Sequence, residues 1–409
     1  MKPLFISSLY HPNQVGGAEK IVRIVAEGMR QQGHDPVVVT VQQESGHRID
    51  QVNGVKVHYL GLKNLYWPWA REERSGLLRA AWHGIDRHNV FMARAVGRVL
   101  DLEKPDIVNS HQLTGLSCAV WGAVKARRLP LVHTLHDYSL MCPKTTMFRD
   151  GTNCQGQCAT CKRYTSPSQR LSDKVDHVIG VSRFTLDRHL VAGYFQRAQA
   201  RVIHNALPKP AQQHPLRPDP ARPLQLGYVG QLLPSKGIAQ LIEQMRTWDP
   251  SRCQLVVAGK GAAAYESALR ATAPPNVRFL GFVDPGEVYR AIDVLVVPSL
   301  WQEPFATTVL EACMHGVPAI VSNRGGFPEA VEAGRTGLIY EPLQPQALRE
   351  AIEVFLRDRS ILEEMHRHVR NRASYFQLER MQDEYLHVMT EAQAGGGAGD
   401  PSILRRRHA

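Results

Sequence analysis

The sequence predicts an α/β protein made of two doubly wound parallel-sheet domains that face a central cleft. Short apolar strands alternate with helical patterns in the first half of the chain, and the same alternation restarts after a proline-rich stretch. The chain has 409 residues, 43% hydrophobic and 21% charged, which suffices for two cores of ordinary soluble domains. Two similar domains joined by a linker favour an active site in the cleft between them.

The first half supplies one domain, residues 1–205. Apolar runs predict strands at residues 4–8, 36–41, 106–110, 131–135 and 177–181, and a helical pattern covers residues 19–31. We also expect helix within residues 62–100, where three tryptophans lie among arginines and histidines. The first apolar run is too short for a signal peptide, and no run approaches the roughly 18 apolar residues of a membrane span, so we expect a cytoplasmic protein.

The second half begins after a break. Six of the sixteen residues from 208 to 223 are proline, a composition that cannot sustain a helix or a central strand, and we assign residues 206–224 to a linker. Strands predicted at residues 226–229, 254–258, 277–280, 294–297 and 319–321 define a second domain over residues 225–376. A C-terminal helix is expected within residues 377–392, followed by a disordered tail at 393–409.

The excess positive charge is confined to the first half. Residues 1–205 hold 27 Lys and Arg against 16 Asp and Glu, a net +11, whereas residues 206–409 hold 22 of each. Such a field favours an anionic partner, such as a lipid diphosphate or the anionic inner face of a membrane. A generally basic surface without a dedicated ligand is the alternative. We expect no nucleic-acid partner, because no recognised binding motif accompanies the charge.

The most informative stretch is Glu303–Glu311, E-P-F-A-T-T-V-L-E, which follows the predicted strand at 294–297. A strand that leads through a loop into a helix presents free backbone N–H groups, which attract phosphate. Two carboxylates eight positions apart lie about 12 Å apart along a helix axis. That length suits one glutamate at a sugar and the other at a ribose, with a diphosphate between them. Two solvated acids on a helix surface are the alternative.

Glycine-containing loops add further candidates. Gly16 and Gly17 lie between the first strand and the first helix, where missing side chains permit close approach to a ligand, although such pairs are common in turns. Lys236 lies in the loop 230–237, G-Q-L-L-P-S-K-G, and either meets a phosphate or is simply exposed. The loop 259–264 matches the G-x-G-x-x-A of dinucleotide-binding proteins, but it follows a later strand and lacks the acidic partner. We therefore prefer a phosphate- or sugar-facing loop around Gly261 to a dehydrogenase site.

Four of the seven cysteines are bunched in a loop that begins after residues 135–137. They are Cys142, Cys154, Cys158 and Cys161, and their spacing suits a tetrahedral, all-thiolate zinc site that closes the loop. Free thiols are the main alternative, disulfides are less expected in a reducing cytosol, and a radical iron–sulfur motif would require a different barrel. An ordered loop here would shape the entrance to the cleft.

Together these motifs resemble glycosyltransferase family 4, retaining enzymes whose GT-B fold has two Rossmann-like domains. The resemblance covers nearly the whole chain and includes the family's E-x7-E signature at 303–311. Its other motifs are G-G-A-E at 16–19, L-H-D at 135–137, V-S-R at 181–183, I-H-N at 203–205 and the loop at 230–237. The resemblance implies that the first domain binds the acceptor and the second binds the nucleotide-sugar donor.

The resemblance also implies roles for single residues. His136 would lie beside the anomeric centre, Glu303 would hold the hydroxyls of the transferred sugar, and Lys236 would neutralise the diphosphate. These three are the expected catalytic residues, and Glu311 would accept hydrogen bonds from the ribose. The remaining donor-binding residues would come from the glycine loops and the start of the helix after Glu303: Gly16, Gly17, Gly230, Gln231, Gly261, Phe305, Ala306 and Thr307.

The resulting hypothesis is a retaining transfer that needs no divalent cation. The sequence has no Asp-x-Asp pair, which fits the family's use of lysine and helix dipoles, so zinc is expected only as a structural ion. The donor would be a UDP- or GDP-sugar, and the acceptor a glycan or lipid-linked intermediate of bacterial surface polysaccharide or lipopolysaccharide, at the inner face of the cell membrane. Gln231, where the family often has Arg, and Ala306, where it often has Gly, depart from the pattern. A non-catalytic binding module, a sugar phosphorylase and a nucleotide-sugar epimerase are the alternatives.

Overall fold

The computed structural model describes residues 1–13, 16–70, 74–210 and 221–395. Two Rossmann-like α/β units follow one another along this part of the chain, so the predicted fold class is confirmed. Among the described residues, no helix combines the length and the apolar character needed to cross a bilayer. The predicted linker lies partly outside the described residues, and so does most of the predicted tail.

The first domain contains an eight-stranded sheet and a separate two-stranded hairpin. Its strands are β1 (Pro3–Ile6), β2 (Val37–Gln42), β3 (His47–Val52), β4 (Val55–Gly61), β5 (Ile107–Ser110), β6 (Leu131–Leu135), β7 (Phe148–Arg149), β8 (Thr152–Asn153), β9 (His177–Gly180) and β10 (Gln199–Val202). Its helices are α1 (Gly17–Gln31), α2 (Gly76–Asp86), α3 (Val90–Glu103), α4 (Ala119–Lys125), α5 (Ala159–Ser172) and α6 (Arg183–Val191). The sheet order is β10-β9-β6-β5-β1-β2-β4-β3, in which β3 runs antiparallel to β4 and the other neighbours are parallel; β7 and β8 form the hairpin.

All five strands predicted for this half are present, with ends within two residues of the prediction. The β3–β4 hairpin was not predicted, because β3 is exposed along most of its length and shows no apolar alternation. Its turn did carry a sequence signal, the pair Asn53-Gly54. Both residues have positive φ angles, as a tight two-residue hairpin turn requires. The helix expected within residues 62–100 begins only at Gly76.

The second domain contains a six-stranded, all-parallel sheet in the order β13-β12-β11-β14-β15-β16. Its strands are β11 (Leu224–Val229), β12 (Cys253–Ala258), β13 (Val277–Gly281), β14 (Val294–Val297), β15 (Ala319–Ser322) and β16 (Gly337–Tyr340). Its helices are α7 (Ile238–Gln244), α8 (Ala263–Thr272), α9 (Pro285–Ala291), α10 (Thr307–Met314), α11 (Phe327–Ala330), α12 (Ala347–Arg357), α13 (Arg359–Arg372) and α14 (Leu378–Gly395), with short 3-10 turns at Pro234–Lys236, Met245–Thr247 and Ala373–Phe376. Strands such as β2 and β14 are buried along their whole length, because helices cover both faces of each sheet.

The last helix returns to the first domain. Along α14, Met381, Tyr385 and Met389 are fully buried, and the Gln382 side chain donates to the Ile24 carbonyl of α1 at 3.3 Å. A methyl group at Gly28 of α1 would lie 1.9 Å from the Gln382 amide, so a larger residue there would displace this side chain from its hydrogen bond to Ile24. The helix runs to Gly395, three residues into the predicted tail.

The fold brings the ends of parallel strands from both domains to one cleft. Ser8, Gln112 and His136 follow β1, β5 and β6 on one side, and Gln231 and Trp301 follow β11 and β14 on the other. Ligands of open α/β sheets bind outside the carboxyl ends of the strands. The topology therefore selects this cleft for function.

Candidate active site

The cleft between the domains has a volume of about 650 Å³, a size typical of small-molecule sites. Most predicted site residues line it, namely Gly16, Gly17, His136, Gln231, Lys236, Glu303, Phe305, Ala306 and Thr307. Gly230, Gly261 and Glu311 are not among its lining residues. Gly261 instead packs against the backbone of Leu232, where an added methyl group would lie 2.4 Å from the carbonyl oxygen, so its role in the structure is to let two loops meet.

Glu303 is the most constrained acid of the cleft. It lies in the loop between β14 and α10 and is 4% exposed. Its Oε1 accepts three hydrogen bonds, from Lys236 Nζ at 2.5 Å, Trp301 Nε1 at 2.6 Å and Ser299 Oγ at 2.7 Å. The sequence argument that placed Glu303 and Glu311 along one helix axis is wrong, because α10 begins four residues after Glu303.

The first domain holds the loop that carries Glu303. Asn153, in the β7–β8 hairpin, donates to the Leu300 carbonyl at 2.7 Å and accepts from the Gln302 amide at 2.9 Å. The Tyr138 hydroxyl donates to the Gln302 carbonyl at 3.0 Å. The position of this catalytic candidate therefore depends on contacts between the two domains.

Lys236 reaches the cleft from a tight turn. The next residue, Gly237, has φ +70°, and a methyl group there would lie 1.9 Å from the Pro298 carbonyl oxygen. Only glycine therefore lets this turn approach the end of β14, which brings Lys236 to Glu303. The Lys236 ammonium also lies 5.1 Å from the centroid of the Trp301 ring, so it has an ionic and an aromatic partner.

Two helix starts face each other across the cleft. A methyl group at Gly17 would lie 2.8 Å from Thr307 Cγ2, so α1 and α10 approach as closely as glycine permits. The α1 start already has an anion, because Glu19 accepts from the Gly16 amide at 3.0 Å; burial raises the pKa of Glu19. The α10 start follows Ala306, whose side chain cannot cap it, so its first amides remain suited to an anionic ligand.

Glu311 lies one turn into α10 and links the two domains. Its Oε1 pairs with Lys20 of α1 at 3.0 Å, and its Oε2 accepts from the Tyr289 hydroxyl at 3.0 Å. Sequence reasoning missed both partners. Lys20 was adjacent to the G-G-A-E motif, but nothing in the sequence related it to a residue 291 positions away.

His136 follows β6 and contacts a second histidine. Its Nε2 lies 2.9 Å from Nδ1 of His111, which follows β5. Burial lowers the pKa of His136 to about 4 and that of His111 well below its ordinary value, so both rings are neutral near pH 7. His111 was not predicted, although its position after a strand end gave the same signal as that of His136.

Two motifs that carried no assigned role contact the second domain. Ser182 Oγ donates to the Pro304 carbonyl at 2.6 Å, and the His204 ring stacks on Phe305 with 5.0 Å between centroids. Glu329 of α11 accepts from the Arg183 amide at 2.6 Å and lies 3.0 Å from His204 Nε2. V-S-R and I-H-N therefore help to hold the domains together beside the second-domain side of the cleft.

The structure does not support the predicted zinc site. Within the described part of the chain, no group of three or more His, Cys, Asp or Glu side chains is arranged to hold a metal ion. Cys142, Cys154, Cys158 and Cys161 are all free thiols; Cys142 is buried, whereas Cys158 is exposed and caps α5 by accepting from the Cys161 amide at 3.5 Å. The loop is held instead by hydrogen bonds, including those of Asn153.

Comparisons with known proteins find relatives of both halves of the chain. Residues 15–208 match the model of Glycosyltransferase Family 4, and residues 213–374 match that of Glycosyl transferases group 1. An uncharacterized 42.6 kDa protein in the cps region of Klebsiella pneumoniae is 29% identical over 80% of this chain and 87% of its own. A lipopolysaccharide core biosynthesis mannosyltransferase of Rhizobium meliloti is 30% identical over 49% of this chain and 61% of its own. The structure of Anabaena HepE in complex with UDP-glucose superposes with a TM-score of 0.70 at 20% identity, covering 96% of this chain and 100% of that one, which shows the shared fold.

Proposed function

The chain belongs to glycosyltransferase family 4 and is a glycosyltransferase of the GT-B fold, and we propose that it transfers a sugar from a UDP- or GDP-sugar with retention of configuration. One observation carries the donor assignment: the Lys236–Glu303 pair lies beside the uncapped start of α10 in a single cleft. The proposed acceptor is a glycan or lipid-linked intermediate of bacterial surface polysaccharide or lipopolysaccharide. The names of the Klebsiella and Rhizobium relatives support that class.

The donor diphosphate is proposed to lie at the start of α10 and against Lys236. Amide dipoles and an ammonium group already in place stabilise the charge that develops on the leaving diphosphate without rearrangement, and no divalent cation is required in this proposal. Gly17 leaves room for the same phosphates from the first domain. Glu311 would accept the ribose hydroxyls, which compete with Lys20 for its Oε1.

Glu303 and His136 are proposed to meet the transferred sugar. The three donors on Glu303 Oε1 orient the carboxylate towards the sugar hydroxyls. A neutral His136 can share a hydrogen bond with the sugar but does not carry a proton to the leaving group near pH 7. In a front-face transfer, the acceptor oxygen bonds to the anomeric carbon as the phosphate oxygen departs from the same side, and the acceptor proton passes to that phosphate.

We also propose peripheral binding to an anionic membrane through the exposed face of α3. Val90, Phe91 and Leu102 are exposed on this helix and share its outer face with Arg94 and Arg98. Apolar side chains interleaved with cations are suited to insertion between anionic lipid headgroups. The +11 charge excess of the first half adds to the attraction.

A liposome assay tests the membrane part. Flotation with phosphatidylglycerol vesicles should exceed flotation with phosphatidylcholine vesicles and should fall as salt rises, because the attraction is electrostatic. The double variant Arg94→Glu/Arg98→Glu should lose this preference, and Arg246→Glu, at an exposed site of the second domain, should keep it. Binding that ignores lipid charge would refute this part of the proposal.

Activity tests the catalytic part. Purified protein incubated with UDP- and GDP-sugars should release nucleoside diphosphate, by transfer or by slow hydrolysis, and the products should retain the anomeric configuration. Glu303→Gln should lower the rate at least about 100-fold, the order of loss seen when one preorganised electrostatic contact is removed. Glu364→Gln, an exposed acid of α13, is the matched control. Unchanged turnover in Glu303→Gln would refute the role of Glu303, and tight binding without turnover would indicate a binding module.

A further inference from the structure

A small pocket in the first domain opens beside the cleft. It is bounded by the end of α2, the segment after β5, the loop at 139–145 and α5, and we call it the Asp86 pocket. It shares Trp82, His83 and Thr145 with the wall of the cleft. Its volume of about 60 Å³ is well below the roughly 150 Å³ that hold a benzene ring. The pocket therefore admits a substituent but not a whole sugar ring.

The unusual group in this pocket is the carboxyl of Asp86. The Gly115 amide donates to it, but Oδ1 is buried and has no hydrogen-bond partner in the described part of the chain. Nor does Asp86 form an ion pair with any described residue. Burial raises the pKa of Asp86 to about 7, and its place at the last residue of α2 adds the unfavourable negative end of the helix dipole. A buried acceptor without a donor is costly and calls for an explanation, and a ligand that supplies the donor is one that suits a group lining a pocket.

The other lining side chains fit a carbohydrate. Hydroxyl groups come from Thr114, Ser117, Ser139 and Thr145, and ring faces come from Trp82 and Tyr164. The ionisable neighbours of Asp86 in the pocket are His83, Arg87, Cys118 and Tyr164, of which Arg87 is directed to the Ser166 hydroxyl. Hydroxyls, an acid and aromatic faces together suit a polar substituent on an otherwise apolar ring face.

We propose that the Asp86 pocket receives one exocyclic hydroxyl or amino group of the acceptor, which donates its hydrogen bond to Asp86 Oδ1. This inference rests on the proposed function, because the pocket opens on the acceptor side of the same cleft. It makes Asp86 a residue that selects the acceptor and leaves donor binding to the second domain. Since an ionised carboxylate is the better acceptor, binding of the acceptor should strengthen as pH rises from 6 to 8.

The test separates acceptor recognition from donor binding. Methyl glycosides of glucose, galactose, mannose and glucosamine are titrated by saturation-transfer NMR into wild-type protein saturated with UDP or GDP. In Asp86→Asn, whose side chain has nearly the same size, the affinity for the glycosides that wild-type protein binds should fall at least fivefold. The affinity for the nucleotide should stay within twofold. Asp101→Asn, an exposed α3 acid paired with Arg127, is the control. The glucosamine arm distinguishes an amine from a hydroxyl donor.

Each outcome decides the inference. If no glycoside depends on Asp86, or if wild-type binding does not change between pH 6 and 8, the Asp86 pocket is not an acceptor subsite, even though the nucleotide binds. The pH series on wild-type protein gives this answer even if Asp86→Asn fails to fold. If neither UDP nor GDP binds to wild-type protein, the proposed function fails first, and this inference fails with it.

Discussion

The carboxylate of Glu303 is oriented before any ligand binds, because three donors meet on one of its oxygens. At the scale of residues, the cleft is a set of polar groups whose partners come from distant parts of the chain. Lys236 is 67 positions away from Glu303, and Lys20 is 291 positions away from Glu311. The Lys236–Glu303 pair is therefore preorganised for electrostatic stabilisation, because both groups are already in place in the cleft.

The desolvated His136 predicts a pH dependence of stability. Its folded pKa of about 4 lies below the ordinary 6.5, so between these values the unfolded chain binds a proton that the folded chain does not. The free energy of unfolding should therefore fall as pH drops from 6.5 to 4, by up to about 1.4 kcal/mol per pH unit for one group. Urea unfolding of His136→Asn, repeated between pH 4 and 6.5, should show a pH dependence of the unfolding free energy that is weaker by about one proton. The exposed-site variant His387→Asn should keep the wild-type slope, and an unchanged slope in His136→Asn would contradict the desolvation of this ring.

Single residues could be predicted where a motif marks the end of a strand. Glu303, Lys236 and His136 all lie in the cleft for that reason. Glu311 and Gly261 do not line the cleft, because a motif gives spacing along the chain and not the direction of a side chain. Lys20 and Asp86 were missed because their contacts form only after folding, whereas His111 was overlooked although it directly follows the strand β5.

At the scale of elements, the β7–β8 hairpin holds the Glu303 loop across the domain boundary through Asn153. The variant Asn153→Ala loses two hydrogen bonds, to the Leu300 carbonyl and the Gln302 amide. Because Glu303 would be less well placed, kcat should fall about 10-fold, while the melting temperature should change by only a few degrees. The control is Asp150→Ala at the hairpin tip, whose ion pair with Arg149 is exposed. Equal kcat in the two variants would show that the hairpin does not position the loop.

Elements with strong apolar patterns could be predicted, and weakly patterned ones could not. β6 and β14 match the predicted ranges, whereas the exposed β3 and the two-residue strands of the hairpin were not anticipated. The cysteine cluster shows the opposite error. Its spacing is compatible with zinc and the thiols do lie near one another, with Cys161 beside Cys142 and Cys158, but spacing alone does not arrange them as metal ligands, and no metal-holding group forms among the described residues.

At the scale of the whole molecule, the domains are joined by α14 and by contacts around Glu329. Burial alone would raise the pKa of Glu329, but hydrogen bonds from His204 and the amides of Phe184 and Arg183 outweigh it and lower that pKa. Glu329→Gln should therefore weaken this contact by about 1–2 kcal/mol and raise the KM for the nucleotide sugar. Small-angle scattering should show a larger radius of gyration than in wild-type protein. Glu243→Gln, exposed within the second domain, should change neither quantity, and an unaltered radius in Glu329→Gln would argue against this contact as a latch.

The fold class and the use of the cleft could be predicted from two rounds of strand–helix alternation, because parallel sheets place their carboxyl ends together. The packing of the domains could not be predicted in the same way. The return of α14 to α1 brings Gln382 against Gly28, two residues 354 positions apart (382 − 28), with no local pattern to relate them.

The most direct test of the account is nucleotide binding in the absence of divalent cations. UDP and GDP are titrated calorimetrically into wild-type protein in EDTA and again with Mg²⁺, and at least one should bind equally well in both. Lys236→Met, which keeps the length of the side chain without its charge, should weaken that binding at least about 10-fold, or about 1.4 kcal/mol. Lys260→Met, at an exposed lysine of the neighbouring loop beside Phe282, should not. Binding that requires Mg²⁺, or that is as tight in Lys236→Met as in wild-type protein, would contradict a diphosphate held by amides and this ammonium group.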